Sequence, residues 1–508
     1  MDEWAEIGRA LDAMAASGSA EVREDGEWLA ELAALHCELR REGKGKGSVV
    51  HLWSGERNLT RRVLGVRENL PERIVLEVQR FGRAKPGRLE FLRSDSRRSA
   101  GRITREQFRA RFRRILAENF PDATVESLTA APDLEHSFSG LYVRGRMHEG
   151  SRSWAIIAAA PGENSAAIEG ILAFGILWLD WTRNHARDAR QASRAVEGLR
   201  IFVPHGASRF LRARVLALSS AARTEIFEFR EAEGHFEKQE HADAANLESW
   251  LMARRDVESL LAEAREVISK IHALALHRPP AGSEIGVHIV PETREVALCF
   301  RGLEFGRWSR DGIFFGLGDS REKLTQETEP ALDQLIRRLD LHRNSLASET
   351  NHPLYRAAPE RWIETLVLED PARLDAQLDP RHLYSQVPAL AAGDRGVLDL
   401  LGVTRRGRLV VIELKASEDI QMSVQAADYW LRVRRHQREG DFLRFGYFTG
   451  VDLDPQPPLL WLVAPALRFH SATDTLLKYF SPEIHFTRIG LNENWRRGLK
   501  IIFRQQPS

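Results

Sequence analysis

The segment from 395 to 415, RGVLDLLGVTRRGRLVVIELK, constrains the fold of this chain more than any other part of it. It predicts a strand over 396–403, a tight turn at 404–407 and a second strand over 408–416. The run LVVI in the second strand lacks the alternation of a strand with one wet face, which indicates burial on both faces. Such a strand belongs in a sheet that helices cover, so the sequence predicts an α/β domain around it.

Charged side chains interrupt this hairpin at one end. If the turn spans four residues, Asp399 pairs with Ile412 and lies close to Glu413, while Glu413 and Lys415 point to one face because side chains alternate along a strand. Two carboxylates on an apolar sheet are costly without a cation, and oxygen ligands suit Mg²⁺ or Mn²⁺. The hairpin therefore predicts a metal site at Asp399 and Glu413, with hydrolysis of a phosphodiester as the natural reaction.

The elements around the hairpin carry further polar residues. The segment PERWIETLVLEDP (359–371) predicts a helix that contains Glu364, and LYSQVPAL predicts a strand that contains Gln386. The segment IQMSVQAADYWLRVRRHQ predicts a helix with polar residues at helical spacing, namely Gln421, Gln425, Tyr429 and Arg432. FLRFGYFTGV and LLWLVAPAL predict two closing strands.

This arrangement of Asp, a turn and Glu-x-Lys resembles the PD-(D/E)XK nuclease superfamily, whose core runs α-β-β-β-α-β. The greatest similarity is to the catalytic domain of NucS-like endonucleases, which act on branched, flapped or mismatched DNA, and it covers roughly 355 to 450. The shared features are the helix with Glu, the strand with Gln-Val, DLLG, GRLVVIELK, and a Gln and a Tyr on the next helix. They carry the family pattern over to Glu364, Gln386, Asp399, Glu413, Lys415, Gln425 and Tyr429.

The resemblance implies a role for each group. Asp399 and Glu413 are expected to hold the metal, Lys415 to assist the attacking water, Glu364 to take a second ion or an outer-sphere water, and Gln425 to steady the site. Expected nucleic-acid contacts lie at Gln386, Gln421, Tyr429, Arg432 and Arg435. The basic residues at the end of this helix have a second explanation, since helix C-termini attract cations. His436 has no second ligand at metal spacing and is expected at the surface.

The whole chain of 508 residues predicts several domains in a multi-domain α+β arrangement. We expect a helical N-terminus (1–45) formed by two short helices, a basic β-rich module (46–104), an α/β unit (105–232), a helical connector (233–280), a β-rich segment with a helix (281–350) and the nuclease-like domain (351–508).

The middle α/β unit can be aligned with the hairpin domain. Laying SWAIIAAAP on RLVVIELKA brings strand, turn and long helix into register, and Glu413 and Lys415 then correspond to Ala158 and Ala160. Asp399 corresponds to Arg144 or its neighbour. One hypothesis is a degenerate copy of the nuclease fold; the alternative is an unrelated α/β unit, because strand–helix–strand is a common pattern. A different strand order in the middle unit would exclude the first.

Composition narrows the remaining function classes. Residues 40–114 contain 22 Lys or Arg against 8 Asp or Glu, which suits contact with DNA phosphates but also a solvated basic surface. Two cysteines argue against a disulfide framework, and the apolar run IEGILAFGILWLDW is too short to span a bilayer. The leading expectation is a cytoplasmic Mg²⁺-dependent DNA endonuclease, with homodimerisation left open. A non-catalytic nucleic-acid-binding or scaffold protein and an RNA nuclease are the alternatives.

Overall fold

The computed structural model describes much of the chain, with gaps at several connections. The described residues are 3–16, 20–24, 27–32, 35–41, 48–53, 58–70, 73–79, 86–93, 105–131, 133, 136, 138–163, 165–188, 195–230, 234–244, 247, 249–276, 285–290, 293–318, 321–388 and 397–507. They form a mixed α+β structure with four sheets. Contacts divide the chain into two compact units, 1–148 with 157–167 and 149–156 with 168–508.

The first sheet begins where the sequence predicts a second N-terminal helix. Helix α1 is Glu3–Ala16, and the strands are β1 Ala20–Glu24, β2 Glu27–Glu31, β3 His36–Arg41, β4 Ser48–Trp53, β5 Asn58–Leu70, β6 Arg73–Gln79 and β7 Gly87–Arg93. Their order is β2-β1-β7-β6-β5-β4-β3, so strands from before and after residue 45 share one sheet. Pairing of Val22 with Phe91, both fully buried, overrides the local helix propensity.

The basic stretch is partly neutralised within this sheet. Arg61 Nε lies 2.7 Å from Glu24 Oε1, and Arg67 Nη2 lies 2.8 Å from Glu77 Oε1. These guanidinium groups already have carboxylate partners. Glu24 lies outside 40–114 and offsets part of the positive excess of that stretch, whereas Glu77 is already among its eight acidic residues.

The second sheet forms the middle α/β unit. Its elements are α2 Arg105–Asn119, β8 Ala123–Thr129, β9 Tyr142–Glu149, β10 Arg152–Ala159, α3 Ser165–Asp188, β11 Val196–Pro204, α4 Arg209–Arg214, β12 Thr224–Arg230 and β13 His235–Gln239. The strand order is β13-β12-β11-β10-β9-β8, with β11 parallel to β12 and β12 antiparallel to β13. The predicted succession of strands and helices is present, with β8 and β13 added at its edges.

Helix α3 contains the most apolar stretch of the sequence. By length and composition alone, Ser165–His185 could cross a membrane, but 72% of this window is buried inside the protein. Core helices of soluble proteins have the same composition, so the burial favours a core helix.

The third sheet follows two helices, α5 Arg254–Glu263 and α6 Arg265–Leu276. Its strands are β14 Ile285–Val290, β15 Glu295–Phe300, β16 Leu303–Ser309, β17 Gly312–Phe315 and β18 Glu322–Lys323, in consecutive order, and helix α7 Glu329–His342 follows them. Apolar side chains of the sheet and of α7, including Phe300, Phe305, Leu332 and Leu339, share one core.

The fourth sheet contains the predicted hairpin. The helices are α8 Pro353–Arg356, α9 Pro359–Glu369, α10 Pro371–Leu374, α11 Met422–Arg438, α12 Asp441–Arg444 and α13 Thr473–Leu477; the strands are β19 Leu378–Pro388, β20 Val397–Thr404, β21 Leu409–Leu414, β22 Leu459–Pro465, β23 His485–Leu491 and β24 Ile501–Gln505. The strands lie in consecutive order, with β21, β22 and β23 mutually parallel. Every residue of β21 is buried, as the LVVI pattern predicts.

The strand predicted over FLRFGYFTGV is wrong. This segment forms α12 and a series of turns, in which Phe448 has a φ of 54°. Its aromatic residues are fixed by distant partners: Tyr447 Oη donates to the Met252 carbonyl, and the Phe448 N–H donates to Tyr384 Oη. These long-range contacts replace the ladder that the apolar pattern suggested.

The second and fourth sheets have the same strand order along the chain. In each, a helix precedes three strands, a long helix leads to the fourth strand, a short helix leads to the fifth, and the sixth lies antiparallel to the fifth. This is the order that a duplicated fold requires, and a different order would have excluded the hypothesis.

Candidate active site

Asp399 and Glu413 come together because of the hairpin register. Leu400 pairs with Ile412, one residue away from the predicted pairing of Asp399 with Ile412. Continued by one step, the observed register sets Asp399 opposite Glu413. The Leu414 N–H donates to Asp399 Oδ2 at 2.9 Å, which fixes the aspartate against the end of β21. The two carboxylates are therefore held side by side by backbone geometry.

Lys415 completes this group. Its Nζ lies 3.2 Å from Glu413 Oε1 and 3.4 Å from Asp419 Oδ2. Burial alone would lower the pKa of Lys415, but the surrounding carboxylates, Glu413 first, raise it above its usual value. The ammonium group therefore stays charged beside the carboxylate pair. Asp419, four residues after Lys415, is a site residue that the sequence analysis did not assign.

Arg361 is a second residue that the sequence analysis missed. Its Nη1 lies 2.6 Å from Glu364 Oε2 and 3.4 Å from Asp399 Oδ1, so one guanidinium links α9 to β20. Arg361 and Glu364 are three residues apart and share a helix face. That spacing was the available signal, since a buried Glu on a helix needs a cationic neighbour.

The carboxylates exceed the cations at this site. Burial, and after it the charge of Asp399, raises the pKa of Glu413 to about 8, and burial also raises the pKa of Asp399. Glu413 Oε2 is buried and has no hydrogen-bond partner among the described residues. A buried carboxylate oxygen without a protein partner can bind a metal cation. Oxygen ligands of this type fit a divalent ion such as Mg²⁺.

Glu364 is placed differently from the other two acidic residues. Arg361 lies between it and Asp399, and within the described part of the chain the groups of three closely spaced potential ligands lie elsewhere. Those groups are His342, Glu349 and His352, and His436, Glu439 and Asp441. Asp399 and Glu413 are therefore the residues that would hold a metal, while Glu364 is paired with an arginine.

Helix α9 is positioned by an arginine from the preceding segment. The fully buried Arg343 donates to the Leu354 carbonyl at 2.8 Å and to the Ala358 carbonyl at 3.2 Å, and it lies 4.8 Å over the Trp362 ring. It also donates to the carbonyls of residues 300 and 301 in the third sheet. The start of α9, and with it Arg361, is thereby tied to that sheet.

Helix α11 brings its first half to the carboxylates. Burial raises the pKa of Tyr429, and the charges of Glu413 and Asp399 raise it further, which places the phenol near the pair. Gln425 lies one turn earlier and on the same face. Gln421 is the N-cap residue of this helix. Gln386 lies in β19, but its side chain is outside the described residues.

The end of α11 is less accessible than the sequence suggests. Arg432 is only 3% exposed and its Nη2 lies 3.0 Å from Asp428 Oδ1, which argues against the expected DNA contact. Arg435 donates to the Leu247 carbonyl and pairs with Glu439. The expectations that His436 lies at the surface and has no second potential metal ligand nearby are both wrong, since it is 4% exposed and lies close to Glu439 and Asp441.

His436 is buried between two partners. Its Nδ1 lies 2.6 Å from Asp441 Oδ2, and its Nε2 lies 2.7 Å from Ser249 Oγ. Burial lowers the pKa of His436, with Asp441 opposing the shift. These bonds fasten the C-terminal end of α11 to the segment that precedes α5, so this end of the helix has a structural role.

The corresponding positions of the middle α/β unit carry no acid. Glu413 is the second-last residue of β21, and Ala158 is the second-last residue of β10. Asp399 is the third residue of β20, and the third residue of β9 is Arg144, which donates to the Ala131 carbonyl at 2.6 Å. A cation and an alanine thus occupy the places of the two carboxylates, and the middle unit has no metal site there.

Comparison with known protein families and with curated proteins found no match to this chain.

Proposed function

We propose that the C-terminal α/β unit is the catalytic centre of a cytoplasmic, Mg²⁺-dependent or Mn²⁺-dependent nuclease that hydrolyses phosphodiester bonds in DNA. The observation that carries the proposal is the buried Glu413 beside the partly buried Asp399, with Lys415 next to them. The element order α9, β19, β20, β21, α11, β22 also matches the core that the resemblance implies.

The two carboxylates are the residues that would hold a divalent ion. When bound, such an ion polarises the phosphodiester and lowers the pKa of a coordinated water. Glu413 Oε2 is buried and accepts no hydrogen bond from the described residues, which supports its use as a ligand. The cost of burying two adjacent carboxylates is then offset by the ligand.

The cationic residues of the site would act on the phosphate and the water. Lys415 carries a positive charge next to Glu413 and is placed to orient a water or to stabilise negative charge on the phosphate oxygens. Arg361 holds Glu364 and Asp399 in fixed orientations, which keeps Asp399 in position. Gln425 and Tyr429, on the adjacent face of α11, border the same space.

The test is cleavage by the full chain. The protein is incubated with Mg²⁺ or Mn²⁺ and labelled duplex, single-stranded, flapped and mismatched DNA, with single-stranded RNA as a further arm. Cleavage of at least one DNA substrate is expected, with a loss of at least about 100-fold in Lys415→Ala, because electrostatic stabilisation of developing charge is commonly worth that much. The exposed Lys478→Ala is the matched control and should retain full activity.

Two results would contradict the proposal. If none of the DNA substrates is cut with either ion, the alternative of a non-catalytic binding protein replaces it. If Lys415→Ala cuts as fast as the native chain, the reaction takes place elsewhere in the molecule.

A further inference from the structure

The middle and C-terminal α/β units contact each other through corresponding segments of their folds. Leu218 and Phe480 form an antiparallel bridge, in which Ser219 N–H donates to the Tyr479 carbonyl at 2.9 Å and Ser481 N–H donates to the Ala217 carbonyl at 2.8 Å. This bridge lies just before the fifth strand of each sheet, β12 and β23. Contact between equivalent segments is what a two-fold axis produces in a dimer of identical subunits.

The side chains around the bridge follow the same reciprocal pattern. Tyr479 Oη donates to Asp180 Oδ1 at 3.0 Å, so the C-terminal unit contacts the long helix α3 of the middle unit. In return, Arg214 of the middle unit lies with Nε 3.6 Å from Asp428 Oδ2 on the long helix α11. Each unit therefore places the segment before its fifth strand on the long helix of the other.

The contact is buried and contains charge. Arg214 and Asp428 are 8% and 6% exposed, and Arg214 also lies 3.2 Å from Glu169 on α3. Removing one partner of such a group leaves an uncompensated buried charge, which is strongly destabilising. This face of α11 is thus already occupied within the chain and is not available to a second copy.

We propose that residues 105–240 take the place of a second nuclease subunit, so that one chain presents a single cutting centre and breaks one strand of a duplex per binding event. The inference rests on the proposed function. In a two-fold pair of identical subunits each half would carry a centre, whereas Arg144 and Ala158 stand at the positions of the carboxylates in the middle unit. Water adds to one phosphorus, one P–O ester bond breaks, and the opposite strand stays intact.

The strand structure of the product tests this inference. The full chain is incubated with Mg²⁺ or Mn²⁺ and a supercoiled plasmid that carries whichever DNA structure is cut in the substrate panel. Open circles are expected to accumulate almost completely before linear DNA appears, and linear DNA should arise only from independent second nicks. Linear DNA that forms as fast as open circles would overturn the inference while leaving the nuclease proposal intact.

Variants separate the remaining outcomes. Glu413→Gln should abolish open-circle formation, while Lys478→Ala should form open circles at the native rate. Nicking that survives at the native rate in Glu413→Gln would reveal a second centre and overturn the inference. The absence of any cleavage by the native chain would overturn the proposed function and this inference with it.

Discussion

The middle and C-terminal α/β units have six strands in the same order but carry different residue types at the end of the third strand. In the C-terminal unit this strand end carries Glu413 beside Asp399, and burial raises the pKa of both carboxyl groups. In the middle unit the same place holds the fully buried Ala158, and Arg144 donates to the carbonyls of Ser139 and Ala131. The first arrangement costs stability and provides the carboxylates of the proposed cation site, whereas the second has no carboxylate at either position.

The comparison implies that a strained site has been kept in only one of two equivalent positions. Buried like charges are retained where they perform chemistry, because an apolar replacement would be more stable. The contrast between the two units thus argues for function at Asp399 and Glu413 more directly than either unit alone. Adding a carboxylate to the middle unit and removing one from the C-terminal unit test this contrast.

The largest change in unfolding free energy is expected when a carboxylate is placed in the middle unit, which has none at the corresponding position. Ala158→Glu should lower the free energy of unfolding by about 3 kcal/mol or more, because the cost of burying a carboxylate there exceeds its attraction to the corresponding Arg144, whose Nη2 already donates to the Ala131 carbonyl. Urea denaturation measures the change. Ala158→Met, of similar volume, is the control for overpacking, which costs about 1–3 kcal/mol. Equal losses in the two variants would mean that the place tolerates charge and that the two units do not differ as described.

Removing a carboxylate from the C-terminal unit should stabilise the metal-free protein. Glu413→Gln removes one of two adjacent carboxylates and is expected to raise the free energy of unfolding by about 1–3 kcal/mol near neutral pH. Because the pKa of Glu413 is raised from 4.5 to about 8, its cost is absent below the lower value and grows as the pH rises toward the higher one. The stabilisation measured by urea denaturation should therefore vanish near pH 4.5. A destabilised variant at every pH would contradict this account.

The reciprocal contact between the units should show energetic coupling. In a double-mutant cycle of Arg214→Met and Asp428→Asn, a coupling energy of about 1–3 kcal/mol is expected because both groups are buried and lie together. Urea denaturation of the native chain, the two single variants and the double variant supplies the four values. Additive effects would mean that the two helices do not interact through this pair.

The smallest expected change in unfolding free energy concerns the hydrogen bond between Tyr479 and Asp180, the second side-chain contact between the two units. Tyr479→Phe removes the hydrogen bond to Asp180 and should cost about 1 kcal/mol in unfolding free energy. The exposed surface residue Lys500, changed to Ala, provides a matched control with no expected loss. If Tyr479→Phe leaves the unfolding free energy unchanged, the Tyr479 hydroxyl does not stabilise the contact between the two units, and this half of the contact depends on the backbone bridge.

Local patterns were sufficient to predict the C-terminal hairpin and its helices. The unbroken apolar run in β21 fits a central strand that α9 and α11 both contact, and Pro359 begins α9 as its position suggests. Alternation also predicted β4 to β7. The register was wrong by one residue because five residues, 404–408, separate the paired Val403 and Leu409, one more than the predicted four-residue turn.

Long-range contacts explain what the sequence did not predict. The residues of β2 and β3 favour a helix locally, but partners as distant as β7 hold this region in a sheet. The spacing of Arg361 and Glu364 indicates a pair on one helix face, but the contact of Arg361 with Asp399 spans 38 residues, and His436 bonds to Ser249, 187 residues earlier. Partners this far apart in the sequence can be identified only when it is known which helices and strands contact each other.

Binding of Mn²⁺ to the metal-free full chain tests whether Asp399 and Glu413 hold a divalent ion, because it reports on the carboxylate pair without requiring a substrate. Titration followed by electron paramagnetic resonance should show Mn²⁺ bound by the native chain. Affinity should fall at least about tenfold in Asp399→Asn and in Glu413→Gln, as expected when a metal ligand is removed, and should be unchanged in the exposed-site control Lys478→Ala. Undiminished Mn²⁺ affinity in both carboxylate variants would contradict the assignment of the cation site to Asp399 and Glu413.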